Sequence, residues 1–403
     1  MQNDKFFLNL LMIIIPLYWA GGYLYEQGTF VHQVIVLSWY AVCIYYLLYS
    51  FSTKMTKTGQ LILVFLLLNT FYWLISSKTR FVIVGDTSTL GSLKFIFMAF
   101  MSYYPFYVLS KKRIVTDGKL TIFYLLLFVS LVFQYFYIAD TIMEAQGSSA
   151  TTNNIAYYFV MIFPLTFVFY EKKLLMITAY VATLFLVLFG AKRGAIVCFA
   201  VESFLFYHYF AKALPSKYKK ITIFCLVFGF ACLFTYLYEA IQEDYFLMRR
   251  WEQTVEGNSS GRDQIYSCIW NYSIDSNLFN LLFGHGFMIS PEIPGNPEKN
   301  YAHQDWLELF VGMGVMGVIL YCCLIYSVFI YYHRNKKLLS VPEHFAYLCI
   351  IAIWVIKPFF SMLYYDPATF ALTSTLGVLH GRMYNKKMLR HNKLYEIKKK
   401  NYE

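Results

Sequence analysis

The stretch Leu61-Ile62-Leu63-Val64-Phe65-Leu66-Leu67-Leu68-Asn69-Thr70-Phe71-Tyr72-Trp73-Leu74-Ile75-Ser76 contains no charged residue. A helix rising about 1.5 Å per residue needs a run of roughly this length to cross a hydrocarbon core of about 30 Å. Lipid offers no partner for a free amide, so such a run must be helical, and it is too continuous for a barrel strand. Similar runs recur near 6–24, 31–50, 93–109, 120–138, 154–170, 174–190, 194–211, 220–238, 304–332, 344–363 and 368–384. The pattern predicts an all-α, polytopic membrane protein with about 12 transmembrane helices, one integral membrane domain over 1–403. The first run, 6–24, reads as an uncleaved span rather than a signal peptide, because apolar spans continue to the end of the sequence.

Composition agrees. Of 403 residues 59% are hydrophobic and 14% charged, whereas soluble domains are about a quarter charged. A net charge of +11 would point to nucleic acid in a soluble protein. Here most of the 34 basic residues lie in alternate inter-helix segments, among them Lys54 and Lys57, Lys111 to Arg113, Lys172 and Lys173, Arg334 to Lys337, and the basic tail 385–403. That bias marks the cytoplasmic side, so both termini are expected there and no nucleic acid partner is implied. Seven of eight cysteines fall in apolar runs and only Cys268 lies outside. They form neither a disulfide framework nor a zinc spacing.

The longest segment between spans, 239–303, is expected on the outer face. It is far longer than a usual connection, and Trp251, Trp270, Phe279 and Phe283 make it too aromatic for a disordered linker. It should fold against the outer helix ends.

Three segments carry candidate chemistry. In Gly190-Ala191-Lys192-Arg193-Gly194 two cations occupy a short outer turn and Arg193 opens a helix, where the dipole disfavours positive charge. A bound anion resolves both conflicts, since free amides at a helix start and two basic side chains form a phosphate corner. Snorkelling to the lipid headgroups is the alternative. In Gly257-Asn258-Ser259-Ser260-Gly261-Arg262-Asp263 a turn leads into a helix with Ile265, Ile269 and Tyr272 on one face. Arg262 falls on that face and needs a partner, either an anionic substrate or an internal carboxylate such as Glu252 or Glu256. In Tyr301-Ala302-His303-Gln304-Asp305-Trp306-Leu307-Glu308, His303 shares a helical face with Trp306, Leu307 and Phe310, while Asp305 and Glu308 point away. A neutral imidazole there can act as a base, or it is only a histidine at a helix start. The two carboxylates are expected to complement the helix dipole.

Glu202 and Lys357 lie inside spans and are either functional or paired with each other or with neighbours. Gly312-Met313-Gly314-Val315-Met316-Gly317 matches a dinucleotide motif but lacks the preceding strand, so close helix packing is expected instead. No two aspartates stand at the D-x-D spacing of metal-dependent sugar transfer.

The segments Phe189 to Ala195, Ser260 to Tyr266 and Ala302 to Glu308, with Leu282-Phe283-Gly284-His285-Gly286-Phe287 and the glycines after 312, together resemble the O-antigen polymerase and O-antigen ligase superfamily over a core region of 174–332. The resemblance implies a GT-C-type, metal-independent, cofactor-free, inverting membrane glycosyltransferase of lipopolysaccharide biosynthesis, set in the bacterial inner membrane with its active site on the periplasmic side. It implies an undecaprenyl-pyrophosphate-linked oligosaccharide as donor and acceptor, membrane lipid as a further partner, and contact with other polysaccharide-assembly proteins. His303 would be the catalytic base. Arg193 and Arg262 would contact the pyrophosphate, and Lys192, His285 and Lys357 complete the expected substrate-binding set. Gln304 departs from the family's usual asparagine. A polymerase is the expected type. A ligase moving glycan to lipid A–core is the alternative within the family, and a lipid-linked-glycan flippase the alternative outside it, although no half-to-half repeat supports a transporter.

Overall fold

The computed structural model describes residues 2–21, 23–26, 28–53, 55–76, 83–84, 87–146, 153–190, 192–213, 220, 235, 262–297 and 299–400. Among the described residues the regular structure is helical apart from a hairpin of two-residue strands, β1 (Ile83–Val84) and β2 (Thr87–Ser88), paired antiparallel. Before the hairpin come α1 (Gln2–Trp19), α2 (Phe30–Phe51) and α3 (Lys57–Ile75); after it come α4 (Thr89–Met101), α5 (Tyr103–Lys111), α6 (Asp117–Gln146), α7 (Ile155–Ile162), α8 (Lys173–Phe189) and α9 (Arg193–Ala213). Beyond residue 261 lie α10 (Arg262–Ile274), α11 (Leu278–Phe283), α12 (Asp305–Asn335), α13 (Val341–Phe360) and α14 (Phe370–Lys400).

Six described segments are long and apolar enough to cross a membrane: Phe30–Phe51, Lys57–Ile75, Thr89–Lys111, Asp117–Asp140, Asp305–Leu338 and Val341–Phe360. Ile155–Phe169 and Lys173–Phe189 are shorter apolar helices. Helices α1, α9 and α14 cover three more apolar runs of the sequence, and the run at 220–238 lies outside the described residues apart from positions 220 and 235. Sequence signals set the ends. Thr56 caps α3 by accepting the Gly59 amide at 3.0 Å, and Glu343 reaches back to the Ser340 amide at 2.7 Å to start α13. The run at 154–170 is not one α-helix. It changes to a 3-10 helix over Phe163–Phe169, where Pro164 removes an amide and crowds the preceding turn.

Two glycine contacts hold the bundle together. Gly377 and Gly381 bring α14 against α5, where a Cβ would lie 2.6 Å from the Tyr103 carbonyl or 2.7 Å from that of Tyr107. This is the small-residue packing that lets membrane helices approach closely. The second contact bends α12 at Gly314, whose φ of 64° and ψ of −166° interrupt the helix. The carbonyls of Val311 and Gly312 accept the amides of His285 and Gly286 at 2.8 and 3.0 Å. A Cβ on Gly314 would overlap the Leu282 carbonyl, and one on Gly284 the backbone of Gly312. The glycines at 312–314 therefore serve backbone packing, as the missing strand implies, and they lock 282–286 onto the upper part of α12.

Candidate functional site

The cationic segments converge on the end of α13. Lys192 precedes α9 and its carbonyl accepts the Ile196 amide at 3.0 Å, so the first amides of the helix have no intrahelical partner. The turn before it, apart from Ala191, lies among the described residues. The Asn153 amide donates to the Gly190 carbonyl at 3.0 Å. Gly194 sets how closely α9 approaches its neighbours: a Cβ there would overlap the Tyr157 hydroxyl and lie 2.5 Å from Cβ of Phe360. Arg193, beside it, is exposed.

Arg262 opens α10. Its Nη1 donates to the Phe360 carbonyl at 3.1 Å, and the Tyr266 hydroxyl one turn on accepts a hydrogen bond from the guanidinium. Ile265 and Ile269 are buried with Ala302, Leu307 and Val311, so the apolar face of α10 seats it on α12. Glu252, Glu256 and the turn 257–261 lie outside the described residues. One residue, Phe360, thus abuts Gly194 and holds Arg262.

His303 lies where α10 and the start of α12 meet. It is not on a helical face with Trp306 and Phe310, as its spacing suggests. Its φ is +52°, and α12 starts only at Asp305, after an extended Gln304. The loop before it is tied down, because the Ala302 amide donates to Glu308 Oε2 at 3.0 Å and the Ser290 hydroxyl donates to the same oxygen. That anchorage stabilises a left-handed backbone that a non-glycine residue seldom adopts. Burial, and then the charges of Arg262 and Lys192, hold the imidazole down to about 4. His303 is therefore neutral at pH 7 with two cations at electrostatic range.

The carboxylates beside it are not solvated dipole partners. Asp305 is 0% exposed. It accepts the Leu363 amide at 2.8 Å, the Tyr364 amide at 3.2 Å and the Tyr321 hydroxyl at 2.9 Å. Asp305 fixes the connection between α13 and α14, and Glu308 fixes the 290–302 loop. The helix start buries both groups because distant backbone amides need acceptors there.

Lys357 pairs with neither Glu202 nor a group on its own helix. Its Nζ donates to Asp366 Oδ2 and to the Met362 carbonyl, each at 2.7 Å, and lies 5.0 Å from the centre of the Tyr157 ring. Lys357 therefore stands behind the tyrosine that abuts Gly194. Glu202 is buried at 0% exposure, and neither of its oxygens has a hydrogen-bond partner among the described residues. His285 is set apart from the cations. Its ring packs on Tyr272 at 4.6 Å, ten residues and about 15 Å along α10 from Arg262.

Sequence reasoning passed over Phe360, Tyr157 and Asp366. Asp366-Pro367 is a turn signal, and its carboxylate is within reach of an intramembrane lysine, so it was findable. Nothing in the sequence marks the Phe360 carbonyl, because a backbone acceptor has no residue signature. Among the described residues no three His, Cys, Asp or Glu side chains are grouped as a metal site requires. What remains is a cationic corner at a helix start beside a neutral imidazole, able to bind a polyanion and to accept a proton. Residues 178–322 match the family model described as O-Antigen ligase. No curated protein matches the chain.

Proposed function

We propose that this multi-pass membrane protein, whose residues 178–322 match the O-Antigen ligase family model, polymerises undecaprenyl-pyrophosphate-linked oligosaccharide repeat units into surface polysaccharide. The observation that carries this reading is that Lys192 and Arg262, from two distant segments, both act electrostatically on His303, with Arg262 held on Phe360 at the end of α13. Lys192, Arg193, Arg262 and the first amides of α9 hold the donor's diphosphate. His303 takes the proton from an acceptor hydroxyl as its oxygen attacks the anomeric carbon. The bond from that carbon to the diphosphate breaks, undecaprenyl pyrophosphate leaves, and a single displacement inverts the centre. Lys357 acts at one remove, by holding Tyr157 against the start of α9.

A base held near 4 is weak, and the diphosphate corrects this. Once its negative charges offset Lys192 and Arg262, protonation of His303 becomes easier and the ring is a better proton acceptor. The base thus gains strength when the donor is bound. The full reading has about 12 spans in a GT-C-type arrangement, both termini in the cytoplasm and the site on the periplasmic side of the inner membrane.

The description of the matched family favours a second reading, in which the glycan passes to lipid A–core. Gel analysis of lipopolysaccharide from a deletion strain separates the two. Core carrying one repeat identifies a polymerase, whereas bare core with accumulating lipid-linked polymer identifies a ligase. The class itself is tested with purified protein and a lipid-linked repeat: elongation that persists with a chelator supports it, and absence of any glycosidic product refutes it.

A further inference from the structure

Away from the cationic corner, a cavity of about 310 Å³ opens between the Ile75 end of α3 and α11. Phe71, Ile75, Phe279 and Phe283 supply its aromatic and aliphatic walls, and Ser76 and His285 its polar side. Phe279 is 67% exposed, so its ring face is open to an occupant. The frame beneath is fixed: the Tyr72 hydroxyl donates to the Phe283 carbonyl at 2.5 Å, and Ser76 Oγ accepts the Phe287 amide at 2.7 Å.

His285 indicates what the cavity takes. Its Nε2 is buried without a hydrogen-bond partner among the described residues. Burial keeps the imidazole below the ordinary histidine range, hence neutral at pH 7. An enclosed lone pair is less costly than an enclosed N–H, so the proton belongs on Nδ1. The ring then offers one donor beside open aromatic faces. A polyprenyl chain would suit the walls but leave that donor unserved, which costs free energy. A sugar ring meets both needs, with an apolar C–H face for the aromatic rings and hydroxyl acceptors for the imidazole.

The cavity is also joined to the reaction centre. Helix α10 carries Arg262 at one end and, about 15 Å on, the Tyr272 ring that packs on His285. We propose that this cavity is a second carbohydrate subsite, which seats a sugar of the glycan some distance from the reacting hydroxyl against Phe279 and His285. The proposal rests on the glycan-transfer reading and adds a place where the enzyme distinguishes one repeat unit from another.

The test is saturation-transfer NMR on the full-length protein in detergent. The probe is a lipid-free, phosphate-free oligosaccharide released by mild acid from the host's surface polysaccharide. Binding should weaken roughly tenfold in Phe279→Ala and in His285→Ala, the loss of one contact worth about 1.4 kcal/mol, and remain in Arg262→Ala. Phe279 is exposed, so its truncation leaves the fold intact. No signal with the wild type, equal binding by Phe279→Ala and His285→Ala, loss in Arg262→Ala alone, or displacement by farnesol each overturns the subsite. Failure of the transfer reading shows elsewhere, as normal glycan ladders in Arg262→Ala cells.

Discussion

The Arg262 guanidinium donates to the carbonyl oxygen of Phe360 at 3.1 Å, so the first turn of α10 is tied to the last turn of α13. The same phenylalanine abuts Gly194. A cation from one segment and the helix start of another are thereby registered on one backbone position, with His303 close enough to feel Arg262 and Lys192.

Replacing Arg262 by alanine should abolish long-chain glycan while leaving the amount of protein in the membrane unchanged. Arg262→Lys keeps the charge but not the planar fork that serves a carbonyl and a phosphate together, so a shortened ladder is expected. Glycan gels and membrane immunoblots read both. A normal ladder from Arg262→Ala removes this residue from the mechanism.

The pH profile should carry the signature of the two cations. With the imidazole held to about 4 by burial, Arg262 and Lys192, it is unprotonated above that pH in the free enzyme. The acid limb of kcat/KM should therefore fall near pH 4. Removing one positive charge makes protonation easier, so Lys192→Gln should move the limb upward, toward the ordinary histidine value of about 6.5. In the wild type the limb of kcat should lie above that of kcat/KM, because bound diphosphate offsets the cations. Coincident limbs, or none that Lys192→Gln moves, would contradict the priming of His303.

Gly194→Ala adds a methyl group that overlaps the Tyr157 hydroxyl and the Phe360 side chain. The start of α9 must shift, at a cost of about 1–3 kcal/mol for overpacking. Activity should fall much further than thermal stability, since the displaced turn carries Lys192 and Arg193. Equal wild-type activity would show that this approach is not needed.

Asp305→Ala leaves the Leu363 and Tyr364 amides and the Tyr321 hydroxyl without their acceptor. Each orphaned group costs about 1–3 kcal/mol, so the melting temperature in detergent should drop clearly. Asp305→Asn retains one acceptor oxygen and should melt in between. An unaltered melt for the alanine variant would mean that Asp305 does not hold the connection between α13 and α14.

The apolar runs were legible because the hydrocarbon core dictates both their length and their helical form; the change of helix type at Pro164 went unread, because 154–170 looked like one continuous span. Arg193, Arg262 and Lys192 stood out because each opposes a simple rule about where charge belongs. His303 was identifiable by residue type, but its left-handed backbone was not, because that depends on Glu308 holding Ala302. Asp305 looked like a dipole partner for the same reason: its acceptor role is set by amides almost sixty positions away in sequence. Phe360 had no signal at all, since it acts through its carbonyl.

The most direct measurement is the affinity of purified full-length protein in nanodiscs for undecaprenyl pyrophosphate. Each arginine contact to phosphate contributes about 1.5–3 kcal/mol, so Arg193→Ala and Arg262→Ala should each weaken binding by roughly 10- to 150-fold. His303→Ala should bind as tightly as the wild type and yet make no product. Undiminished affinity in both arginine variants would contradict the diphosphate site.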